Sequence, residues 1–133
     1  MSKSVIRTDN APAAIGTYSQ AVRIGELVFL SGQIPLVPET MELISGDFRQ
    51  QAQQAFRNLA AVAAAAGGSL DDLVKINIYL VDLDNFQTVN DVMSKLFGEP
   101  FPARAAVGVA ALPRGSAIEV EAVMALPCQA STP

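Results

Sequence analysis

The stretch from Pro100 to Glu121 constrains this chain more than any other. It reads Pro100-Phe101-Pro102-Ala103-Arg104-Ala105-Ala106-Val107-Gly108-Val109, then Leu112-Pro113-Arg114-Gly115-Ser116, then Ile118-Glu119-Val120-Glu121. Pro presets φ and Gly supplies a φ that other residues avoid, so the stretch is predicted to fold as strand, turn, strand. Side chains alternate between the faces of a strand. Ala105, Val107 and Val109 share one face of the first strand, and Arg104, Ala106, Gly108 and Ala110 share the other. On the second strand Ile118, Val120, Ala122 and Met124 oppose Glu119, Glu121, Val123 and Ala125. With the larger aliphatics turned to the core, Arg104 and Glu119 are expected together on the far face. One cation and two anions then sit on a floor of Ala and Gly. An exposed ion pair there is worth only about 0–1 kcal/mol. Yet Ala106, Gly108, Val123 and Ala125 suit water poorly, so another subunit is the expected cover. Charges at the margin of such a cover are functional candidates.

The chain has 133 residues, enough for one domain, 1–133, with a loose tail expected from about 128 to 133. Half of the residues are hydrophobic and 17% are charged, a balance that burial between subunits explains. The net charge is −4 without a basic cluster, which argues against nucleic-acid binding through phosphates. One cysteine, Cys128, leaves no intrachain disulfide and no thiolate cluster, and it reads as an inert tail thiol. The absence of histidine removes Ser-His-Asp and Cys-His catalysis, His-metal sites and the usual base near neutral pH. Proton transfer is left to a carboxylate, tyrosine, lysine, backbone group or water. The N-terminus lacks an apolar secretory segment, so a cytoplasmic location is expected. The apolar run at 60–66 is too short to span a bilayer.

Taken in order, residues 5–8 suit a strand and 10–16 an irregular loop rich in Pro, Gly and Asn. Strands at 17–24 and 27–30 form a hairpin across Gly25-Glu26. That hairpin runs into Ser31-Gly32-Gln33-Ile34-Pro35, where the Ser-Gly step brings bare backbone close to whatever lies there. Residues 36–46 are expected as loop. A helix over 47–66 follows, with Phe48, Ala52, Ala55, Phe56, Leu59, Val62, Ala63 and Ala66 as its apolar stripe. Arg49, Gln50, Gln53, Gln54, Arg57 and Asn58 lie mostly off the stripe. Ser45 or Asp47 caps its start and Gly67-Gly68 its end. The clearest strand is 74–81, with Lys75, Asn77 and Tyr79 opposite the aliphatic face. A helix over 84–97 buries Phe86, Val89, Val92, Met93, Leu96 and Phe97, with Asn90 at the stripe's edge. The order is that of an α+β protein with two helices over one face of a largely paired sheet. Closed cyclic assembly is the economical cover for the other face.

Four segments carry a family resemblance: Gly16-Thr17-Tyr18-Ser19-Gln20, Ser31-Gly32-Gln33-Ile34-Pro35, Asn85-Phe86-Gln87-Thr88-Val89-Asn90, and Pro102-Ala103-Arg104 through Ile118-Glu119-Val120-Glu121. Together, in this order over nearly the whole chain, they resemble the reactive intermediate deaminase (RidA) family, also called the YjgF or L-PSP family. The resemblance implies a chorismate-mutase-like α+β fold with a six-stranded mixed sheet and two helices on one face. It also implies a homotrimer around a central barrel, with clefts between neighbouring subunits. The implied activity is hydrolysis of 2-iminobutanoate and 2-iminopropanoate, products of pyridoxal-phosphate-dependent dehydratases, to 2-oxo acids and ammonia, with no metal or other cofactor. In that scheme Arg104 clamps the substrate carboxylate, a charge-assisted bond worth roughly 1.5–3 kcal/mol. Glu119 deprotonates the attacking water and returns the proton to nitrogen, help worth about 10²–10⁴-fold. Tyr18 orients imine or water, Ser31 and Gly32 line the cleft, the Ala106 backbone contacts carboxylate or water, and Asn90 sits near the site. Ala106 stands where some members have Cys and others Ala. Arg114, in the turn, reads as a surface charge. The alternatives are a non-catalytic trimer that binds 2-oxo acids for regulation, and an endoribonuclease or translation inhibitor, which the acidic balance disfavours. A chorismate mutase needs several cations around a dianion, and only Arg104 is at hand.

Overall fold

The computed structural model describes residues 2–127, so the expected tail at 128–133, Cys128 included, lies outside the described residues. Strands β1 (Ser4–Ile6), β2 (Ala21–Ile24), β3 (Leu27–Gln33), β6 (Leu73–Leu80), β7 (Ala103–Gly108) and β8 (Ile118–Ala125) form one sheet in the order β1-β2-β3-β8-β6-β7. Strands β4 (Leu36–Val37) and β5 (Glu42–Leu43) make a small separate ladder inside the expected 36–46 loop. Helices α1 (Phe48–Ala65) and α2 (Phe86–Leu96) pack on one face of the sheet. Every neighbouring pair is antiparallel except β6 and β7, which run parallel because α2 carries the chain across between them. This is the α+β fold with a mixed six-stranded sheet and two helices that the sequence predicts.

Alternation fixes the inside. Ile76, Ile78 and Leu80 of β6 and Ile118, Val120 and Met124 of β8 are fully buried under α1 and α2. From α1 they meet Ala52, Ala55, Phe56, Leu59, Val62 and Ala63, and from α2 they meet Val89, Val92 and Met93. Of the two candidate caps, Asp47 starts α1: its carboxylate accepts from the Gln50 N–H at 2.9 Å, and the Gln50 amide oxygen accepts from the Asp47 N–H at 2.9 Å. The chain leaves α1 through Gly67 at φ 95°, where the Gly68 N–H donates to the Ala63 carbonyl.

Several expectations shift. Gln54 and Asn58 are buried rather than off the stripe. The Asn58 amide donates to the carbonyls of Leu36 at 2.8 Å and Ile34 at 3.2 Å, and accepts from Gln54 at 2.9 Å. They face inward because the Ile34 and Leu36 carbonyls, where the chain passes from β3 into β4, take donors from α1. Residues 17–20 belong to the loop and not to β2. The second helix opens with a 3₁₀ turn at Leu83–Asn85. The face away from the helices carries apolar side chains, with Leu27, Phe29 and Val107 each at least 40% exposed alongside Val22, Val123 and Ala125, next to Lys75, Asn77, Tyr79, Glu119 and Glu121. Ala106 and Gly108 are not part of it; both point to the helix side.

Candidate functional site

Two residues in β3 set the geometry of the first cluster. Between Leu30 and Gln33 the register against β8 slips by one, so Ser31-Gly32 is a bulge inside the strand rather than its end. The bulge turns the bare Cα of Gly32 onto the Glu119 side chain: a β-carbon there would lie 2.9 Å from Glu119 Cδ. Ser31 ties the neighbouring loop down. Its N–H donates to the Gln20 carbonyl at 2.9 Å and its hydroxyl to the Ser19 carbonyl at 2.5 Å.

Gln20 holds that loop from inside. Buried, it accepts from the Thr8 N–H at 2.7 Å and donates to the carbonyls of Thr8 and Pro12 at 3.0 and 2.8 Å. Tyr18 is thereby presented, half exposed, to a cavity of about 570 Å³ shared with Ser31, Gly32, Glu119 and Glu121. The far wall carries Met41 and Arg114, whose guanidinium donates to the Met41 carbonyl at 2.9 Å. Arg114 is exposed as predicted, but it also pins that wall.

Burial, and then the nearby Glu121 charge, push Glu119 above the ordinary glutamate range. No donor among the described residues hydrogen-bonds its carboxylate. Glu121 is anchored instead: the Tyr79 hydroxyl and the Asn77 amide both donate to its Oε1. That bond, together with burial and the two carboxylates, raises the Tyr79 hydroxyl to about 12.

Arg104 is elsewhere. It pairs in register with Ile76 and points to the helix side of the sheet, whereas Glu119 pairs with Tyr79 and points to the open side. The expected meeting of Arg104 and Glu119 on one face does not occur within a subunit. The size argument fails on β7 because this edge strand lies against α2. There the long arginine stem covers apolar surface, and Ala105 and Val107 turn to the open face. Arg104 stacks over the Phe86 ring at 4.9 Å and donates to Asn90 Oδ1 at 2.5 Å. Arg104 and Asn90 line a second cavity of about 440 Å³ with Met93, Phe101 and Pro102. Ala106 is two residues along on the same side of β7.

The predicted residues thus form two groups: Tyr18, Ser31, Gly32 and Glu119 in one cavity, Arg104, Asn90 and Ala106 at the opposite edge. Missed were the Gln20 staple, the Phe86 stacking platform and the Tyr79–Asn77–Glu121 cluster. Alternation already put Tyr79, Asn77 and Glu121 on non-core faces, but only the register between β6 and β8 brings them together.

Known proteins match this chain in sequence and fold over nearly its full length. The family model described as Endoribonuclease L-PSP matches residues 8–126. A protein of Dermatophagoides farinae named 2-iminobutanoate/2-iminopropanoate deaminase is 46% identical over 93% of this chain and 97% of its own. RidA from the Antarctic bacterium Psychrobacter sp. PAMC 21119 superposes with a TM-score of 0.89 at 52% identity, covering 92% of this chain and 99% of that one. E. coli TdcF, solved with bound serine, does so with a TM-score of 0.86 at 38% identity, covering 92% and 98%. Fold, motif order and these relatives agree, and the chain belongs to the RidA (L-PSP) family.

Proposed function

We propose that this protein hydrolyses small 2-imino acids, 2-iminobutanoate and 2-iminopropanoate, to 2-oxo acids and ammonia. The observation that carries the reading is the Glu119 carboxylate, held against bare Gly32 backbone beside Tyr18 in a cavity. The names of several relatives as imine deaminases support it. The reaction balances simply. Water adds its oxygen to the imine carbon and gives a proton to Glu119. Glu119 returns that proton to nitrogen to give the carbinolamine, then takes the carbinolamine's hydroxyl proton and passes it to nitrogen as well. The C=O bond forms, the C–N bond breaks, and ammonia leaves behind the 2-oxo acid. The neutral imine is reactive, so acid-base help of about 10²–10⁴-fold suffices.

The clamp comes from a second copy. Within one subunit Arg104 and Glu119 face opposite sides of the sheet with β6 between their strands, and they stand across from Ile76 and Tyr79, three residues apart along β6, so their backbones are roughly 14 Å apart. The apolar open face around Phe29 and Val107 is the surface a closed assembly covers. In that assembly, a homotrimer, Arg104 of one copy holds the substrate carboxylate while Glu119 and Tyr18 of the next face the imine. Asn90 and Phe86 preset the guanidinium.

The test is a coupled assay. A threonine dehydratase generates 2-iminobutanoate, semicarbazide competes for it, and 2-oxobutanoate release is followed. Acceleration by wild type and its loss in Arg104→Ala and Glu119→Gln support the reading. A folded oligomer that never accelerates hydrolysis overturns it in favour of a 2-oxo-acid-binding trimer.

A further inference from the structure

We propose that Glu121 is a positioning residue for this hydrolysis: anchored by the Tyr79 hydroxyl and the Asn77 amide, its carboxylate stands beside Glu119 and governs when Glu119 carries a proton. The inference rests on the deaminase reading of the cavity.

The geometry comes first. Glu119 and Glu121 are two residues apart on β8, on the same face, with both side chains half buried and both lining the cavity. Two carboxylates so placed resist ionising together. The donors decide which group stays charged. Tyr79 and Asn77, from the neighbouring strand β6, both donate to Glu121, and a carboxylate accepting two such bonds is favoured as the anion. Glu119 accepts no bond from the described residues and is left to hold the proton. The other groups around Glu119 do not reverse this. Ser31 and Gly32 of β3 carry no charge, and the Arg114 guanidinium is engaged by the Met41 carbonyl. Lys75 points to the same face of β6 but sits across from Val123, further along the sheet. The upward displacement of Glu119, from burial first and Glu121 second, follows the same direction.

The consequence is chemical. A group that must take a proton from water and hand it to nitrogen works best when it titrates near the working pH. A lone exposed glutamate titrates well below that and returns protons poorly. Glu121 supplies the bias without touching the substrate.

Two variants with opposite expected effects test the idea, with the imine-generating enzyme kept in excess at every pH. Glu121→Gln keeps the shape and an acceptor for Tyr79 but removes the charge; the ascending limb of kcat/KM against pH moves to lower pH. Tyr79→Phe removes a donor that stabilises the anion; the pair holds its proton more tightly and the limb moves to higher pH. A purely structural role lowers the rate without moving either limb. Limbs unmoved in both folded variants overturn the proposal. Carbon-13 titration of the Glu119 carboxyl reads the same coupling without turnover. A midpoint that falls in Glu121→Gln supports it and an unmoved one overturns it. Should wild type hydrolyse no imine while that midpoint still moves, the carboxylate coupling stands and the deaminase reading falls.

Discussion

Gly32 and Glu119 touch across the bulge in β3: a β-carbon on Gly32 would lie 2.9 Å from Glu119 Cδ and overlap its carboxylate. Glycine is needed here for space, since a positive φ is not involved. Gly32→Ala is therefore expected to push the Glu119 side chain aside while leaving the hydrophobic core alone. Misplacing a catalytic group by about 1 Å costs on the order of 10²-fold. The expected outcome is a kcat reduced by about that factor, with a Tm within a few degrees of wild type. Steady-state kinetics alongside calorimetry checks both halves, and an unchanged kcat would show that Glu119 needs no such clearance.

A site shared between subunits has a sharper signature than any single substitution. Arg104→Ala and Glu119→Gln are each expected to be inactive alone. Mixed under conditions that exchange subunits, they rebuild interfaces in which an intact Arg104 faces an intact Glu119. Random mixing of equal amounts gives about a quarter of such interfaces in a closed ring. Recovery of roughly that share of wild-type activity is expected. No recovery despite proven exchange would place both residues in one subunit's site, against the opposed faces of β7 and β8. Arg104→Lys is not expected to substitute for arginine, because the ammonium lacks the planar fork that stacks on Phe86 and reaches Asn90 together.

Much of this was legible beforehand, and the failures have a common cause. Local rules located α1, narrowed its cap to Ser45 or Asp47, and located β6 and the β7–β8 unit, because periodicity and turn chemistry are properties of neighbours in sequence. The same rules could not say which face of β7 points inward. Arg104, Ala106 and Gly108 alternate with Ala105 and Val107 in either case, and the choice is made by α2, whose Phe86 and Asn90 receive the guanidinium. Gln20 and Asn58 were missed for a related reason. Their polar side chains are buried because distant loop carbonyls need donors, and no local pattern records that need. The meeting of Tyr79 with Glu121 depends on strand register, which alternation alone leaves open.

Asn58 offers a stability test away from the site. Its amide satisfies the carbonyls of both Ile34 and Leu36 inside the protein. Asn58→Leu keeps the volume but removes one donor from each carbonyl, leaving Leu36 the Gln54 amide at 3.4 Å and Ile34 the Leu36 N–H at 2.7 Å. It also takes the acceptor from the buried Gln54 amide, and each lost bond costs about 0.5–1.5 kcal/mol. A loss of about 2–4 kcal/mol in urea unfolding is expected, with m unchanged. A loss under about 0.5 kcal/mol would mean that the loop carbonyls find other donors.

Glu119 also leaves a mark on stability against pH. Its folded value lies above the ordinary 4.5, through burial and then Glu121. A carboxyl raised on folding favours the native state when protonated. Its contribution is therefore fully present below about pH 4.5 and is lost as pH rises through the higher folded value. Glu119→Gln mimics the protonated group permanently. The Tm of the variant should match wild type near pH 4 and exceed it increasingly towards pH 8, read by calorimetry across that range. A gap that stays constant with pH would mean that Glu119 titrates alike in the folded and unfolded chains.

Tyr79 provides the most direct optical reading of the cluster. The chain has two tyrosines and no tryptophan, so in Tyr18→Phe the tyrosinate absorbance near 295 nm belongs to Tyr79 alone. Its bond to Glu121 comes first among the causes that raise it to about 12, followed by burial and the charges of Glu121 and Glu119. A proton held more tightly in the folded state stabilises the fold below 10.0 and ceases to do so as pH rises through about 12. Absorbance titration of Tyr18→Phe is expected to show a midpoint near 12, with unfolding setting in over the same range. Adding Glu121→Gln removes both the anionic acceptor and the largest charge, so the midpoint should fall back towards 10. A midpoint already near 10 in Tyr18→Phe would mean that Tyr79 does not donate to Glu121 in solution, and the anchoring of that carboxylate beside Glu119 would fail with it.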